Sequence, residues 1–407
     1  MKVVIEGHLA CDSAGDDAGL EAFTTLLRGR LGDRVSFVVP TRHPNPEFDA
    51  AFGVRTVPNL EYPTKQESQG RWLRGFNPGD DPAHLLDYAR EIERADLFVF
   101  GIGNFLNENS YGLFRGPLAR VSVAAGVAKS VGTPSMLFGL SASRLESELA
   151  RAACSYGLRT ADAVVLRERD SIELLEECGI TTTGVQLLPD PVVLSRAADP
   201  ARLRAVLEQE GLDAKSSRRT RLGVSVRSLK HMGSAVDATY MSNTVQTLLS
   251  WVSSGGEVIL IPQQTYGREA VESDDREPSR SIAKALGDSA SVKVVQGQLR
   301  PWEVESLWSI CDLALCTRLH AGVFACKQGI PVVSLAYEPK VSGFWRQMGV
   351  TDYCLPLGST PDAILGALSR AHQEYPSRTI QTRLSELQRE ATRYADIALS
   401  LAATDSE

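Results

Sequence analysis

The chain lacks any run of about 18 apolar residues, so no helix that spans a bilayer is expected. It also lacks a basic surplus: 43 Lys and Arg stand against 50 Asp and Glu, a net charge of −7. Nucleic acid is therefore not expected as the main partner, because binding a phosphate backbone needs a basic face. A local basic pocket stays open. No CxxC pair occurs among the seven cysteines, at 11, 154, 178, 311, 316, 326 and 354. A zinc site is not expected without a ligand pattern. Scattered thiols of odd number read as buried and reduced, as in a cytosol. The opening MKVVIEGHLACD is too briefly apolar for a signal peptide and reads as a first strand. Histidine is scarce, with six in all, yet one of them stands beside an arginine in CTRLHAG (316–322).

What is present is alternation. A length of 407 residues suggests about two domains. Short β-branched runs, VVIEG (3–7), VSFVVP (35–40), LFVFGIG (97–103), PSMLFGLS (134–141), AVVLRE (163–168) and VQLLPDPVV (185–193), alternate with amphipathic segments such as 16–31, 80–95 and 169–179. In the last of these Asp170 suits an N-cap and Gly179 a C-terminal stop. Such alternation predicts parallel βαβ units. It pauses over 197–221, which holds one amphipathic helix and then a polar, basic stretch, and resumes with RLGVSVR (221–227), EVILIPQ (257–263), VKVVQG (292–297), LALCT (313–317) and PVVSLAY (331–337). The expected architecture is α/β, with two doubly wound Rossmann-like domains facing a cleft. The first spans 1–200, a linker 201–220, and the second domain 221–383. A C-terminal helix within 384–407 is free to pack back on the first domain, though the sequence does not require it.

Ligands of doubly wound sheets bind beyond the carboxyl ends of the strands. At those ends lie Arg227, Gln263, the Arg318–His320 pair and Lys340. Arginine offers a fork that fits phosphate or carboxylate, and histidine can donate a proton near neutral pH. Each has an alternative as a cap or a solvated surface group. Three cationic strand ends in an acidic protein nonetheless point to a small, multiply charged anion. The first domain differs. Strand 97–103 leads into Gly101, Gly103 and Asn104, with Glu108 beyond, and Asp16 opens the first helix, where it suits either a cap or a ligand contact. Such groups suit a polar, neutral ligand.

The segment CTRLHAGVFACKQGIPVVSLAYEPKVSGFWRQMGV (316–350) resembles the polysaccharide pyruvyltransferase family. The likeness rests on Arg318-Leu319-His320, Gly329-Ile330-Pro331, Tyr337-Glu338-Pro339-Lys340-Val341 and Phe344. Weaker likeness extends to Gly15-Asp16, Gly101 and Gly103, VVLRERDSIELLEECGI (164–180), DPVV (190–193), GVSVR (223–227) and SDD (273–275). The first loop reads CDSAGDD where the family commonly has G-N-x-G-D, and Ile102 and Asn104 interrupt a turn that is commonly three glycines. The resemblance implies a fold like that of the two-Rossmann (GT-B-type) glycosyltransferases. It also implies transfer of pyruvyl from phosphoenolpyruvate to a sugar, usually as a cyclic ketal. On this chain His320 and Arg318 would be catalytic, and Arg227, Lys340 and Gln263 would bind the donor. Asp16, Gly101, Gly103, Asn104 and Glu108 would bind the acceptor. No metal or other cofactor is expected beyond the donor. The expected partners are phosphoenolpyruvate and a sugar, oligosaccharide or lipid-linked glycan. The expected location is cytoplasmic, peripheral at the membrane if the acceptor is lipid-linked. Oligomeric state is not legible.

Three rivals share these residues. A nucleotide-sugar glycosyltransferase would use an acidic residue on a ribose, for which Glu272, Asp274 and Asp275 are available. A non-catalytic binding protein would have kept the fold alone. A relative acting on a small metabolite sugar would change the acceptor and keep the mechanism.

Overall fold

The computed structural model describes every residue except 65, 69–71, 110, 215–218, 266–273, 288–290 and 404–407. The chain divides into two compact units. One comprises Met1–Cys11, Gly19–Leu194 and Gln388–Glu407; the other comprises Asp12–Ala18 and Ser195–Leu387.

The first unit is built on a seven-stranded sheet. Its strands are β1 (Lys2–Glu6), β2 (Ser36–Thr41), β3 (Arg55–Pro58), β4 (Leu97–Leu106), β5 (Ser135–Ala142), β6 (Ala163–Leu166) and β7 (Gln186–Leu187). Their order is β3-β2-β1-β4-β5-β6-β7, and every pairing is parallel. Parallel strands covered by helices on both faces read as unbroken apolar runs. Accordingly Val3, Val4, Ile5 and Phe98, Val99, Phe100 are all buried.

The second unit carries a six-stranded parallel sheet. Its strands are β8 (Arg221–Ser225), β9 (Glu257–Leu260), β10 (Val292–Val294), β11 (Leu313–Cys316), β12 (Val332–Ala336) and β13 (Cys354–Pro356). The order is β10-β9-β8-β11-β12-β13. Both sheets are doubly wound: strand order reverses between β1 and β4 in the first, and between β8 and β11 in the second. These are the switch points at which such sheets take ligands. In the second sheet Leu313 to Cys316 run beside Leu222 to Ser225 in register, so the residues following the two strands emerge together.

Several sequence expectations are revised. The amphipathic helix expected within 197–221 is present as 200–210, and it groups with the second unit where residues 201–220 were expected as a linker. Asp199 caps it, Pro200 opens it and Gly211 closes it in a left-handed turn. Val206 and Leu207 are buried, and the Glu210 carboxylate accepts the backbone N–H groups of Gln296 and Gly297 at 2.7 and 3.0 Å. The segment 12–18, read as part of the first domain, belongs to the second unit. The C-terminal helix is two helices, Ser377–Ala391 and Arg393–Ala403. From Gln388 onward it groups with the first unit. There Gln388 donates to the Val193 carbonyl, and Tyr394 donates to Pro189 while its ring packs edge-on against Phe138. Asp170 lies in the first turn of its helix, and Glu168 occupies the N-cap. The expected strand 185–193 is β7 followed by a short 3-10 turn, Pro191–Leu194. Among the described residues no helix is long and apolar enough to cross a membrane.

Candidate active site

The second sheet's switch point gathers most of the cations singled out by sequence. Arg227 follows β8, Arg318 follows β11, and Tyr337, Glu338 and Lys340 follow β12. Arg318 is the N-cap of the helix Leu319–Lys327. That helix forms here because Leu319 and the run from Ala321 to Cys326 are buried, leaving only its first turn to reach the strand ends. Helix starts carry unpaired backbone N–H groups that favour an anion.

Each cation has a distinct partner. The Arg318 guanidinium donates from Nε and Nη2 to the two carboxylate oxygens of Asp275, at 3.0 and 2.6 Å, and from Nη2 to Gln264 Oε1 at 3.0 Å. Asp275 is itself 1% exposed and accepts the backbone N–H groups of Gln263 and Gln264. A fork-to-carboxylate pair of this kind fixes orientation as well as charge. Lys340 pairs with Glu338 at 2.6 Å. Burial pushes the Glu338 carboxyl up, but Lys340 and Arg227 outweigh it and hold it below the usual glutamate range. Arg227 differs. It donates from Nη1 to the Tyr337 hydroxyl at 2.6 Å and lies 4.9 Å over the Tyr337 ring. Its Nε is buried with no hydrogen-bond partner, and no described carboxylate lies within ion-pair distance. Glu338 acts on it only at longer range and is already paired with Lys340, and a half-buried guanidinium without a direct ion pair favours an arriving anion.

Asp16 joins this cluster, which corrects its assignment to the first domain. Residues 13 and 14 run antiparallel to the segment after β9: Ser13 bridges to Gln264, the Ala14 N–H donates to the Gln263 carbonyl, and the Thr265 N–H to the Asp12 carbonyl. This pairing sets Gly15 directly on the His320 ring, where a Cβ could not fit. Ser13 Oγ donates to Asp16 at 2.6 Å, and the Asp16 charge reaches Arg318. Gln263 is corrected in another sense. Its side chain is 4% exposed and turns back to the Ile261 carbonyl, while its neighbour Gln264 touches Arg318. Asp275, weighed from sequence only as an acid for a ribose, and Gln264 and Tyr337 are residues that strand-end reasoning did not join to the cations. Tyr337 stood in the quoted motif without a role.

The first unit's predicted residues are employed differently. β4 continues to Leu106, so Gly101, Gly103 and Asn104 are strand residues and not a turn beyond the strand. Gly101 has no room for a side chain because a Cβ would strike the Phe138 carbonyl; its freedom serves strand packing. Asn104 donates to Ser143, and its Oδ1 is buried without a hydrogen-bond partner. Glu108 accepts the backbone N–H groups of Glu146 and Ser147, which precede the helix Glu148–Thr160. In place of these residues, the strand ends of β1 to β3 carry a charge network not anticipated from sequence. Arg120 pairs with Glu6 at 3.1 Å and with Glu61 at 3.0 Å, Arg42 pairs with Glu61 at 2.8 Å, and Tyr88 donates to Glu6. Burial pushes the Glu6 carboxyl up. At Glu61 burial acts the same way, but Arg120 and Arg42 prevail and hold it far below its ordinary value. Among the described residues no cluster of three His, Cys, Asp or Glu side chains could hold a metal ion.

Comparison with known proteins agrees with this architecture. Residues 14–339 match the polysaccharide pyruvyl transferase family, and the chain belongs to that family. The amylovoran biosynthesis protein AmsJ of Erwinia amylovora is 23% identical over 287 residues, which cover 69% of this chain and 66% of AmsJ. The match thus spans just under two thirds of that relative. Among solved structures, UDP-GlcNAc 2-epimerase from Neisseria meningitidis bound to UDP-GlcNAc superposes with a TM-score of 0.57 at 12% identity, covering 99% of this chain and 100% of that one. HepE of Anabaena in complex with UDP-glucose gives 0.58 at 14% identity, covering 100% and 99%. At such identities the likeness is one of fold: two Rossmann-like sheets, as expected from the alternation of strands and helices.

Proposed function

We propose that this chain moves the pyruvyl group of phosphoenolpyruvate onto hydroxyls of a sugar-containing acceptor and closes a cyclic ketal. Membership of the family supports a pyruvyl-transfer role in polysaccharide biosynthesis. One observation carries the choice of donor: Arg227, Arg318 and Lys340 follow neighbouring strands with His320 at one switch point, and among the described residues Arg227 forms no ion pair, the carboxylate whose charge reaches it, Glu338, being paired with Lys340. Phosphoenolpyruvate brings both a phosphate and a carboxylate to such a site.

In this reading His320 protonates the donor's C3, which makes C2 electrophilic. An acceptor hydroxyl adds to C2, the C2–O bond to phosphate breaks, and a second hydroxyl closes the ring. The diol gives up two protons. One replaces the proton spent on C3 and the other leaves with phosphate. Arg227 and Arg318 stabilise the charge on the departing phosphate, Lys340 holds the carboxylate, and the Asp16 charge reaches Arg318. The scheme uses no metal and no cofactor other than the donor. We assign the acceptor to the glycans, free or lipid-linked, and the reaction to the cytoplasm, with peripheral membrane contact where the acceptor is lipid-linked. The nucleotide-sugar alternative would need an acid for the ribose. Asp275 is committed to Arg318 and Asp274 to Arg276, while Glu272 lies outside the described residues, as does Ser273 of the SDD match.

The test is a thermal shift with phosphoenolpyruvate beside a panel of nucleotide sugars, because a ligand of the native state raises its stability by mass action. The expected result is stabilisation by phosphoenolpyruvate that Arg227→Met abolishes. Stabilisation by a nucleotide sugar, with none by phosphoenolpyruvate, would overturn the reading.

A further inference from the structure

Among the described residues the Tyr337 hydroxyl has one partner, and that partner only donates. Arg227 Nη1 gives it a hydrogen bond at 2.6 Å, so a lone pair of the oxygen is taken and the O–H proton points elsewhere. No described residue accepts that proton. The ring is clamped as well: Arg227 Cζ lies 4.9 Å and Lys340 Nζ 5.3 Å from its centroid, and the residue is only 8% exposed. A buried, immobilised O–H that no described residue accepts is unusual, since buried hydroxyls are ordinarily satisfied. An anion held on Arg227 is the natural acceptor.

We propose that Tyr337 is a catalytic residue of the pyruvyl transfer, carrying a proton from the attacking acceptor hydroxyl to the departing phosphate. This rests on the donor assigned above. The step balances. As the C2–O bond to phosphate breaks, its electron pair goes to the phosphate oxygen, and Tyr337 gives that oxygen its proton. The phenolate left behind takes the proton of the acceptor hydroxyl as that oxygen bonds to C2. The phenol is restored, and the other hydroxyl proton of the diol restores His320. No oxidant, reductant or further reactant is needed.

The surroundings favour the brief phenolate. Burial opposes it, but Lys340 and Arg227, with Arg318 behind them, outweigh burial and the nearby Glu338, so the phenol sits below the usual tyrosine value. His231 faces the same groups, Arg227, Glu338, Lys340 and Arg318, and adds no carboxylate. Strand geometry supplies the placement: Tyr337 directly follows β12, and Arg227 lies two residues past β8, with only β11 between the two strands.

The test is Tyr337→Phe in the full chain, which keeps the ring under Arg227 and Lys340 and removes only the hydroxyl. Phosphate release from phosphoenolpyruvate is measured against pH with a diol-bearing glycan acceptor. The expected result is a fall in kcat of about 10²- to 10⁴-fold, with KM for phosphoenolpyruvate within a few-fold and the alkaline limb of the kcat profile displaced. A second measurement needs no turnover: the ultraviolet difference titration of wild type against Tyr337→Phe should show a phenol ionising below the usual tyrosine range and missing in the variant. Wild-type-like kcat and pH profile would overturn the proposal. So would a variant that only raises KM, because the hydroxyl would then merely hold Arg227. Absence of an early phenol would overturn it too. If the wild type itself releases no phosphate from phosphoenolpyruvate, the donor assignment has failed, and that result is separate from any difference between the two proteins.

Discussion

Gly15 lies against the imidazole of His320 so closely that a Cβ on the glycine would fall on the ring's Nδ1 edge. The glycine opening the first helix and the histidine opening the helix after β11 therefore define one another's positions. Gly15→Ala must displace His320, since the backbone of residues 13 and 14 is pinned to the segment after β9. We expect phosphate release to fall by about 100-fold, as a misplacement of about 1 Å at a reacting group can cost. Folding should be retained. A variant of full activity would show that His320 tolerates movement and would argue against its role as the acid.

Asp275 and Arg318 should behave as one unit. Asp275→Asn removes the charge from a buried carboxylate that holds two guanidinium nitrogens and two backbone N–H groups. Leaving one member of such a pair uncompensated costs on the order of 3 kcal/mol, and denaturant unfolding should detect it. Donor affinity should fall as well, because the Arg318 fork loses its fixed orientation. Unchanged stability would mean that solvent satisfies Arg318 unaided.

Arg227 predicts the opposite balance. Among the described residues it has no ion pair, and its Nε has no hydrogen-bond partner. Arg227→Met should leave the melting temperature of the ligand-free protein unchanged or raise it, while abolishing stabilisation by phosphoenolpyruvate. A marked loss of stability without ligand would show that its bond to Tyr337 matters more to folding than to binding.

The network of the first unit gives a pH-dependent expectation. The folded pKa of Glu61 is depressed, so its contribution is present above the unfolded value of about 4.3 and is lost as pH falls through the folded value. The folded pKa of Glu6 is raised, so its contribution is present below that unfolded value and is lost as pH rises through the folded value. Arg120→Met leaves both carboxylates without their shared cation. It should cost on the order of 3 to 5 kcal/mol near pH 7, and less near pH 4, where protonation relieves the uncompensated charge. Urea unfolding at the two pH values checks this. An equal loss at both would assign the effect to packing of the Arg120 stem.

Thiol chemistry offers an independent check of the core. Five of the seven cysteines are buried, and Cys178 and Cys354 are partly exposed. Burial pushes the Cys154 and Cys326 thiols up to about 12. Because the thiolate is the reactive species, Cys154 and Cys326 should resist alkylation in the native protein near pH 8 and react on unfolding. Rapid native labelling of either would contradict the packing described.

By itself the sequence determined the class of fold and which cationic side chains follow its strands. Apolar runs alternating with amphipathic segments specify parallel strands covered on both faces, because only such runs can be buried on two sides. A cation or histidine shortly after each of several strands must lie at one edge of a parallel sheet, so Arg227, Arg318, His320 and Lys340 were legible as a group. Only the tertiary structure decided which neighbours complete that group. Asp275 reaches Arg318 across 43 residues of sequence, and Tyr337 meets Arg227 across 110. No local period records pairings of that range. For the same reason Asp16 read as a residue of the first domain, although Ser13 and Ala14 pair with the strand end after β9. Gly101 read as a turn at a ligand although β4 continues past it, because a glycine that admits a ligand and a glycine that admits the Phe138 carbonyl are identical until the neighbouring strand is in place.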